Sequence, residues 1–155
     1  MIEGLFLIDT STWIWALRLD GVVAIRTRIG EILAERKGAT TPMISLELLG
    51  GTRDEKNYRE LSEELSALHQ LPITEAVWSS SARAAFDLRR RGVAAPATDI
   101  LIATVAQSNG VTLIHADRHF DLIAAQTDLA IESWVAAVPA SKKRKREDGS
   151  KAVLR

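Results

Sequence analysis

Short apolar runs that break off near an acid are the pattern that most constrains how this chain can fold. Residues 5–8 read Leu-Phe-Leu-Ile and run directly into Asp9; residues 111–114 read Val-Thr-Leu-Ile and reach Asp117 through His115 and Ala116. A short continuous apolar run of this kind fits a strand buried on both faces of a parallel sheet. Two further acids lie against apolar segments: Glu47 within Ile44-Ser45-Leu46-Glu47-Leu48-Leu49, and Asp99 at the head of Asp99-Ile100-Leu101-Ile102-Ala103. Ionised carboxylates are rarely buried without a partner, so four of them in such settings suggest a shared counter-charge. A divalent cation would supply it.

Between these runs the pattern is helical. Thr10-Ser11-Thr12 offers N-cap side chains for a short helix continuing through Trp13, which sets Asp9 at the carboxyl end of the first strand. Apolar residues at 22, 25, 29, 32 and 33 predict a helix over 22–36, stopped at Lys37-Gly38. A second strand is expected over 39–42 and a short helix over 44–49. Residues 54–70 read as an amphipathic surface helix with Leu61, Leu65 and Leu68 on its inner side. Residues 71–74 form a short strand or connection, and Thr74 is a candidate cap for a helix running to about residue 91. Thr98 is expected to cap a helix that starts at Asp99, where an acid complements the helix dipole. A strand over 111–114, a helix over 120–125 and a last strand over 129–131 complete the reading.

Strands and helices alternate throughout, which predicts an α/β fold with a central, mainly parallel sheet of about four to five short strands flanked by helices. In such folds ligands bind beyond the carboxyl ends of the strands. Asp9 and Asp117 are expected there, with Asp99 at a helix start and Glu47 on the short helix after the second strand.

Composition narrows the chemistry. The 155 residues suit one domain, and the absence of cysteine removes disulfides, thiolate metal sites and cysteine nucleophiles together, leaving oxygen or histidine ligands. No stretch approaches 18 consecutive apolar residues, and no basic segment precedes the first apolar run, so neither a membrane span nor a secretory signal is indicated and a cytoplasmic location is expected. The formal net charge of zero hides an asymmetry: from Lys142 onward there are seven Lys or Arg against two acids. The expected division is an acidic domain over residues 1–138 and a basic, disordered tail over 139–155, able to attract RNA phosphate without sequence preference.

Four motifs in order carry a resemblance: Leu7-Ile8-Asp9-Thr10-Ser11-Thr12-Trp13-Ile14, Ser45-Leu46-Glu47-Leu48-Leu49-Gly50-Gly51, Ala97-Thr98-Asp99-Ile100-Leu101-Ile102-Ala103, and His115-Ala116-Asp117-Arg118-His119-Phe120-Asp121. Together they resemble the PIN domain and, more narrowly, the VapC-type toxins of bacterial toxin-antitoxin pairs. The resemblance implies a PIN-like fold and a ribonuclease that depends on Mg²⁺, with Mn²⁺ able to substitute. It also implies inhibition by a cognate VapB-type antitoxin and a homodimer. By position, Asp9, Glu47, Asp99 and Asp117 match the family's acidic quartet, with Asp9, Asp99 and Asp117 as metal ligands, Glu47 and Asp121 as further ligand candidates, and Thr10, Ser11 and Thr98 in support. One position departs from the pattern. Where many relatives carry a second acid two residues after the first, this chain has His119, which leaves Asp121 to restore a carboxylate through a water, or His119 to face RNA.

The donor set agrees with hard-cation chemistry, since Mg²⁺ prefers oxygen ligands and retains waters. Further candidates for RNA contact are Arg89, Arg90, Arg91, Arg118 and His119, although three arginines ending a helix also suit its dipole as a solvated terminus. His115 and His119 form an incomplete pair for zinc. His69 is expected on a helix surface, and the four tryptophans mainly in packing, with the helix around Trp13 contributing to a partner groove. The competing functions are a catalytically silent binding module on the same scaffold and a ribonuclease of RNA processing outside any toxin pair.

Overall fold

The computed structural model describes residues 3–140, so the expected basic tail lies almost wholly outside the described residues. The elements, in chain order, are β1 (Phe6–Ile8), α1 (Thr10–Leu17), α2 (Val23–Ala34), β2 (Gly38–Thr40), α3 (Pro42–Gly50) and α4 (Glu55–Ser66). They continue with β3 (His69–Gln70), α5 (Glu75–Arg90), α6 (Ala97–Asn109), β4 (Thr112–His115), α7 (Arg118–Ala124), β5 (Ile131–Ser133) and a 3-10 turn at Val135–Ala137. The five strands pair in parallel in the order β3-β2-β1-β4-β5. Parallel strands need crossovers and coverage on both faces, which the seven helices provide.

The two apolar runs become the centre of the sheet. Leu7 and Ile8 of β1 and Leu113 and Ile114 of β4 have no solvent exposure, and the strands pair with Ile8 opposite Ile114. The chain leaves β1 toward β2 on one side and later returns to the opposite side of β1 at β4, so the crevice between these two strands is the switch point of the sheet. Helix α6 packs against α5, α3, α7 and β4 and buries seven consecutive residues, Ile100 to Ala106. A helix apolar on all sides is one enclosed by its neighbours. Its C-terminus closes at Gly110 in the left-handed conformation, φ 62°.

At the edge, Arg28 of α2 reaches Glu132 of β5 through paired contacts at 2.9 and 3.0 Å, and Trp134 Nε1 donates to the same carboxylate at 2.9 Å. The guanidinium also lies 5.0 Å from the Phe6 ring. This half-buried fork ties a helix to the last strand.

Several boundaries differ from expectation. The helix expected over 54–70 ends at Ser66, and His69–Gln70 is instead strand β3, paired with Ala39 and Thr40. Backbone groups at the open edge of β2 gain ladder partners from this segment, which overrides the helical spacing of Leu68. His69 therefore sits on a strand, with Nε2 3.0 Å from the Arg36 carbonyl. The last strand lies at 131–133 because its register is set by Leu113 opposite Ile131. Helix α3 starts at Pro42, whose fixed φ suits the first helical position. Thr98 is not a cap: α6 begins at Ala97 behind Pro96, and Thr98 is exposed in the first turn. Thr74 does cap α5, accepting from the Val77 N–H at 3.2 Å.

Two glycines make opposite demands. Gly21 lies in the α1–α2 turn, where an added Cβ would fall 2.0 Å from the Trp15 carbonyl oxygen, whereas Gly30 in mid-α2 faces open space. Gly21→Ala should therefore lower unfolding free energy by at least about 2 kcal/mol, while Gly30→Ala should raise it by about 0.5–1 kcal/mol. Urea denaturation of the two variants measures both.

Candidate metal centre

The turn after β1 builds the first part of the site. Asp9 is 4% exposed and serves as the N-cap of α1: its Oδ2 accepts from the Ser11 N–H at 2.9 Å and from the Ser11 hydroxyl. The hydroxyls expected to cap this helix instead act inside its first turn, and each ties Asp9's turn to a different element. Thr10 Oγ1 donates to Glu47 Oε1 on α3 at 3.3 Å. Ser11 Oγ accepts from the Ala116 N–H at 2.9 Å, one residue before Asp117. Thr12 Oγ1 donates to the Asp9 carbonyl at 2.8 Å and reaches the Ile114 carbonyl of β4 at 3.3 Å.

The turn after β4 is built the same way. Asp117 is the N-cap of α7, its Oδ1 accepting from the His119 N–H at 2.9 Å. His115 has no solvent exposure, and its Nδ1 accepts from the Asp117 N–H at 3.2 Å. Burial lowers the His115 pKa and keeps the ring neutral, despite the nearby Asp121 and Asp117. With Nδ1 accepting, the ring proton belongs on Nε2, which lies 3.3 Å from Asp121 Oδ1. His115 and Asp121 thus face each other beneath the turn.

Asp99 arrives from the first turn of α6. Its Oδ2 lies 3.2 Å from His119 Nδ1, and Asp117 Oδ1 lies 3.1 Å from the same nitrogen. Among the described residues, Asp99, Asp117 and His119 form a group whose ligand atoms all lie within 4.8 Å of one another. Asp9 stands beside this trio rather than within it. Asp121 is turned to His115, and Glu47 is exposed at the lip.

The electrostatics follow first from burial and then from that crowding. The Asp9 carboxyl is pushed up to about 7, first by burial and also by the negative charges of Asp99 and Glu47, with the Ser11 hydrogen bonds pulling the other way. Asp99 is raised to about 6 by burial and by Asp117, against a lowering pull from His119. Glu47, exposed as a residue but with its carboxyl partly desolvated, is raised, with the Thr10 hydroxyl pulling the other way. Carboxylates grouped in this way favour a nearby positive charge, and an oxygen-rich donor set matches a hard divalent cation.

Of the arginines singled out from sequence, Arg89, Arg90 and Arg91 end α5, but Arg91 spends its guanidinium on the Gln126 carbonyl at 2.7 Å. Arg90 lies 5.5 Å from the Phe86 ring. Arg118 is exposed at the start of α7, next to the trio. The contribution of His115 to the turn carried no signal in the sequence beyond its place at the end of an apolar run.

Comparison with known proteins agrees with this architecture. The sequence profile of the PIN domain matches residues 6–126. Ribonuclease VapC11 of Mycobacterium tuberculosis is 29% identical over 134 residues, covering 84% of this chain and 99% of the relative. Ribonuclease VapC51 of the same organism is 30% identical over 142 residues, covering 87% and 94%. Among solved structures, DNA-bound VapBC from Salmonella typhimurium superposes with a TM-score of 0.70 at 23% identity, covering 85% of this chain and 99% of that one. FitAcB from Neisseria gonorrhoeae gives 0.67 at 21% identity, covering 82% and 96%. The acid-lined crevice therefore sits on a shared scaffold, and the chain belongs to the PIN-domain family, among the VapC proteins.

Proposed function

We propose that this protein is a metal-dependent endoribonuclease toxin that cuts phosphodiester bonds in exposed loops of structured RNA and is neutralised by a cognate VapB-type antitoxin. The observation that carries the reading is the grouping of Asp99, Asp117 and His119 within 4.8 Å, with Asp9 at the carboxyl end of β1, where Asp9 and Asp99 have raised pKa values. The relatives named ribonucleases at 29–30% identity support it. Loop RNA is the favoured substrate class because unstacked strands can enter a crevice that paired RNA cannot.

Asp9, Asp99 and Asp117 would hold Mg²⁺ or Mn²⁺. Bound there, the cation would lower the pKa of a water and offset the charge growing on phosphate. The protein's own groups do the rest. Ser11 fixes the Asp9 carboxylate and, through Ala116, the turn that presents Asp117. Glu47, exposed and held by Thr10, would take a proton from the attacking water. Arg118 offers a cation to the substrate phosphate. No protein nucleophile is required.

The antitoxin reading draws on a second feature. A cavity of about 830 Å³ beside α1 and α2 is lined by Trp13, Leu33, Gly38, Ala67 and Leu68, with Arg36 and Glu64 among its polar lining. This apolar groove suits an amphipathic helix of the antitoxin.

Asp99→Asn should reduce Mg²⁺-dependent cleavage of total bacterial RNA by at least about 100-fold while leaving the far-UV spectrum unchanged; undiminished cutting by the purified variant would remove Asp99 from the site. The sign of the pH dependence is also set. Asp9 and Asp99 bind protons more tightly folded than unfolded, so the stability of the metal-free protein falls as pH rises from about 4 through 7. In EDTA, Tm should be lower at pH 8 than at pH 5 by on the order of 5 °C, and Mg²⁺ should recover part of that loss at pH 8 only. Leu33→Arg should weaken capture of the co-expressed antitoxin by about tenfold without lowering cleavage by the isolated toxin.

A further inference from the structure

His119 is the residue of the crevice that a purely carboxylate site does not need. Its side chain is 30% exposed, yet Nδ1 is shielded from solvent and makes no aligned hydrogen bond, although Asp99 Oδ2 and Asp117 Oδ1 lie 3.2 and 3.1 Å away. Asp117 Oδ1 already accepts the His119 backbone N–H, so this oxygen does not depend on the ring for a partner. A shielded nitrogen flanked by two carboxylate oxygens, in good hydrogen-bond alignment with neither, is compatible with a shared point between the three atoms.

The spacing fits such a point. Ligands about 2.1–2.2 Å from an octahedral cation are about 3 Å apart when adjacent, close to both separations measured here. The backbone also fixes the ring's approach: Asp117 caps α7 and His119 is the second residue of that helix, so the two side chains rise from the same turn. His115, the other ring of the motif, is committed elsewhere: its Nδ1 is taken by the Asp117 N–H and its Nε2 lies 3.3 Å from Asp121 Oδ1, outside the trio.

We propose that His119 Nδ1 is a direct metal ligand, making the site a mixed nitrogen and oxygen set that favours Mn²⁺ over Mg²⁺. Imidazole raises affinity for transition ions far more than for Mg²⁺, which selects oxygen and keeps its waters. The inference rests on the metal-nuclease reading above, but it concerns which ion is preferred and which atom holds it.

The test uses the purified full chain and Mn²⁺ itself, read by electron paramagnetic resonance. Wild type should show the ¹⁴N coupling of a directly bound imidazole, and His119→Gln should lose it. Competition titration should show the Mn²⁺ over Mg²⁺ preference falling by about tenfold in His119→Gln. His119→Asp, which restores an all-oxygen set, should bind Mg²⁺ more tightly than His119→Gln does while also lacking the nitrogen signal. Mn²⁺ that binds in an Asp99-dependent way without nitrogen coupling, or with an unchanged preference in His119→Gln, overturns the proposal and leaves the nuclease reading standing. Absence of any Mn²⁺ binding sensitive to Asp99→Asn overturns both.

Discussion

Everything at the crevice depends on the parallel pairing of β1 with β4. Ile8 opposite Ile114 fixes where two chain segments 106 residues apart in sequence leave the sheet, and the Asp9 N–H bonded to the Ile114 carbonyl at 3.0 Å carries that register one residue past the strand. The hydrophobic burial of four fully enclosed side chains holds this pairing. Because a one-residue slip in a strand turns every side chain to the other face, the core residues of these strands also dictate the direction of their acids.

Local helix chemistry and site chemistry are the same chemistry here. Asp9 and Asp117 each cap the helix that follows, and a capping carboxylate uses one oxygen on the backbone. At Asp9 that arrangement leaves Oδ1 free of the turn, whereas at Asp117 the capping Oδ1 is itself the atom that faces His119 Nδ1. The cap also partly offsets burial at Asp9 by placing the Ser11 hydroxyl and N–H, and a helix N-terminus, against the carboxylate. Ser11 links the two caps, since one hydroxyl donates to Asp9 and accepts from Ala116.

Much of this was legible in the sequence because the central strands are continuous apolar runs with acids at fixed distances beyond them. Alternation of elements, the parallel sheet and the placement of Asp9 and Asp117 followed from that pattern alone. The edge was harder. His69 and Gln70 have no strand character of their own, and only the open backbone of β2 recruits them. At α6 a threonine before an acid looks like a helix start, whereas Pro96 sets the turn one residue ahead of Ala97 and Thr98 falls inside the helix. The trio of Asp99, Asp117 and His119 needed the fold, since α6 and α7 meet only through tertiary packing. His119 could be flagged as a departure from the family pattern, but its distance to both carboxylates could not be read from spacing.

The enclosure of α6 has a mechanical consequence. With seven consecutive residues buried, the helix that presents Asp99 cannot tilt without opening the core on several sides at once. Helix α3 buries only Ile44 and Leu48, leaves Leu46 65% exposed, and holds Glu47 through a single 3.3 Å contact to Thr10. The Glu47 side is therefore the compliant one, free to shift without opening the core, with the Asp99 side acting as a fixed anvil.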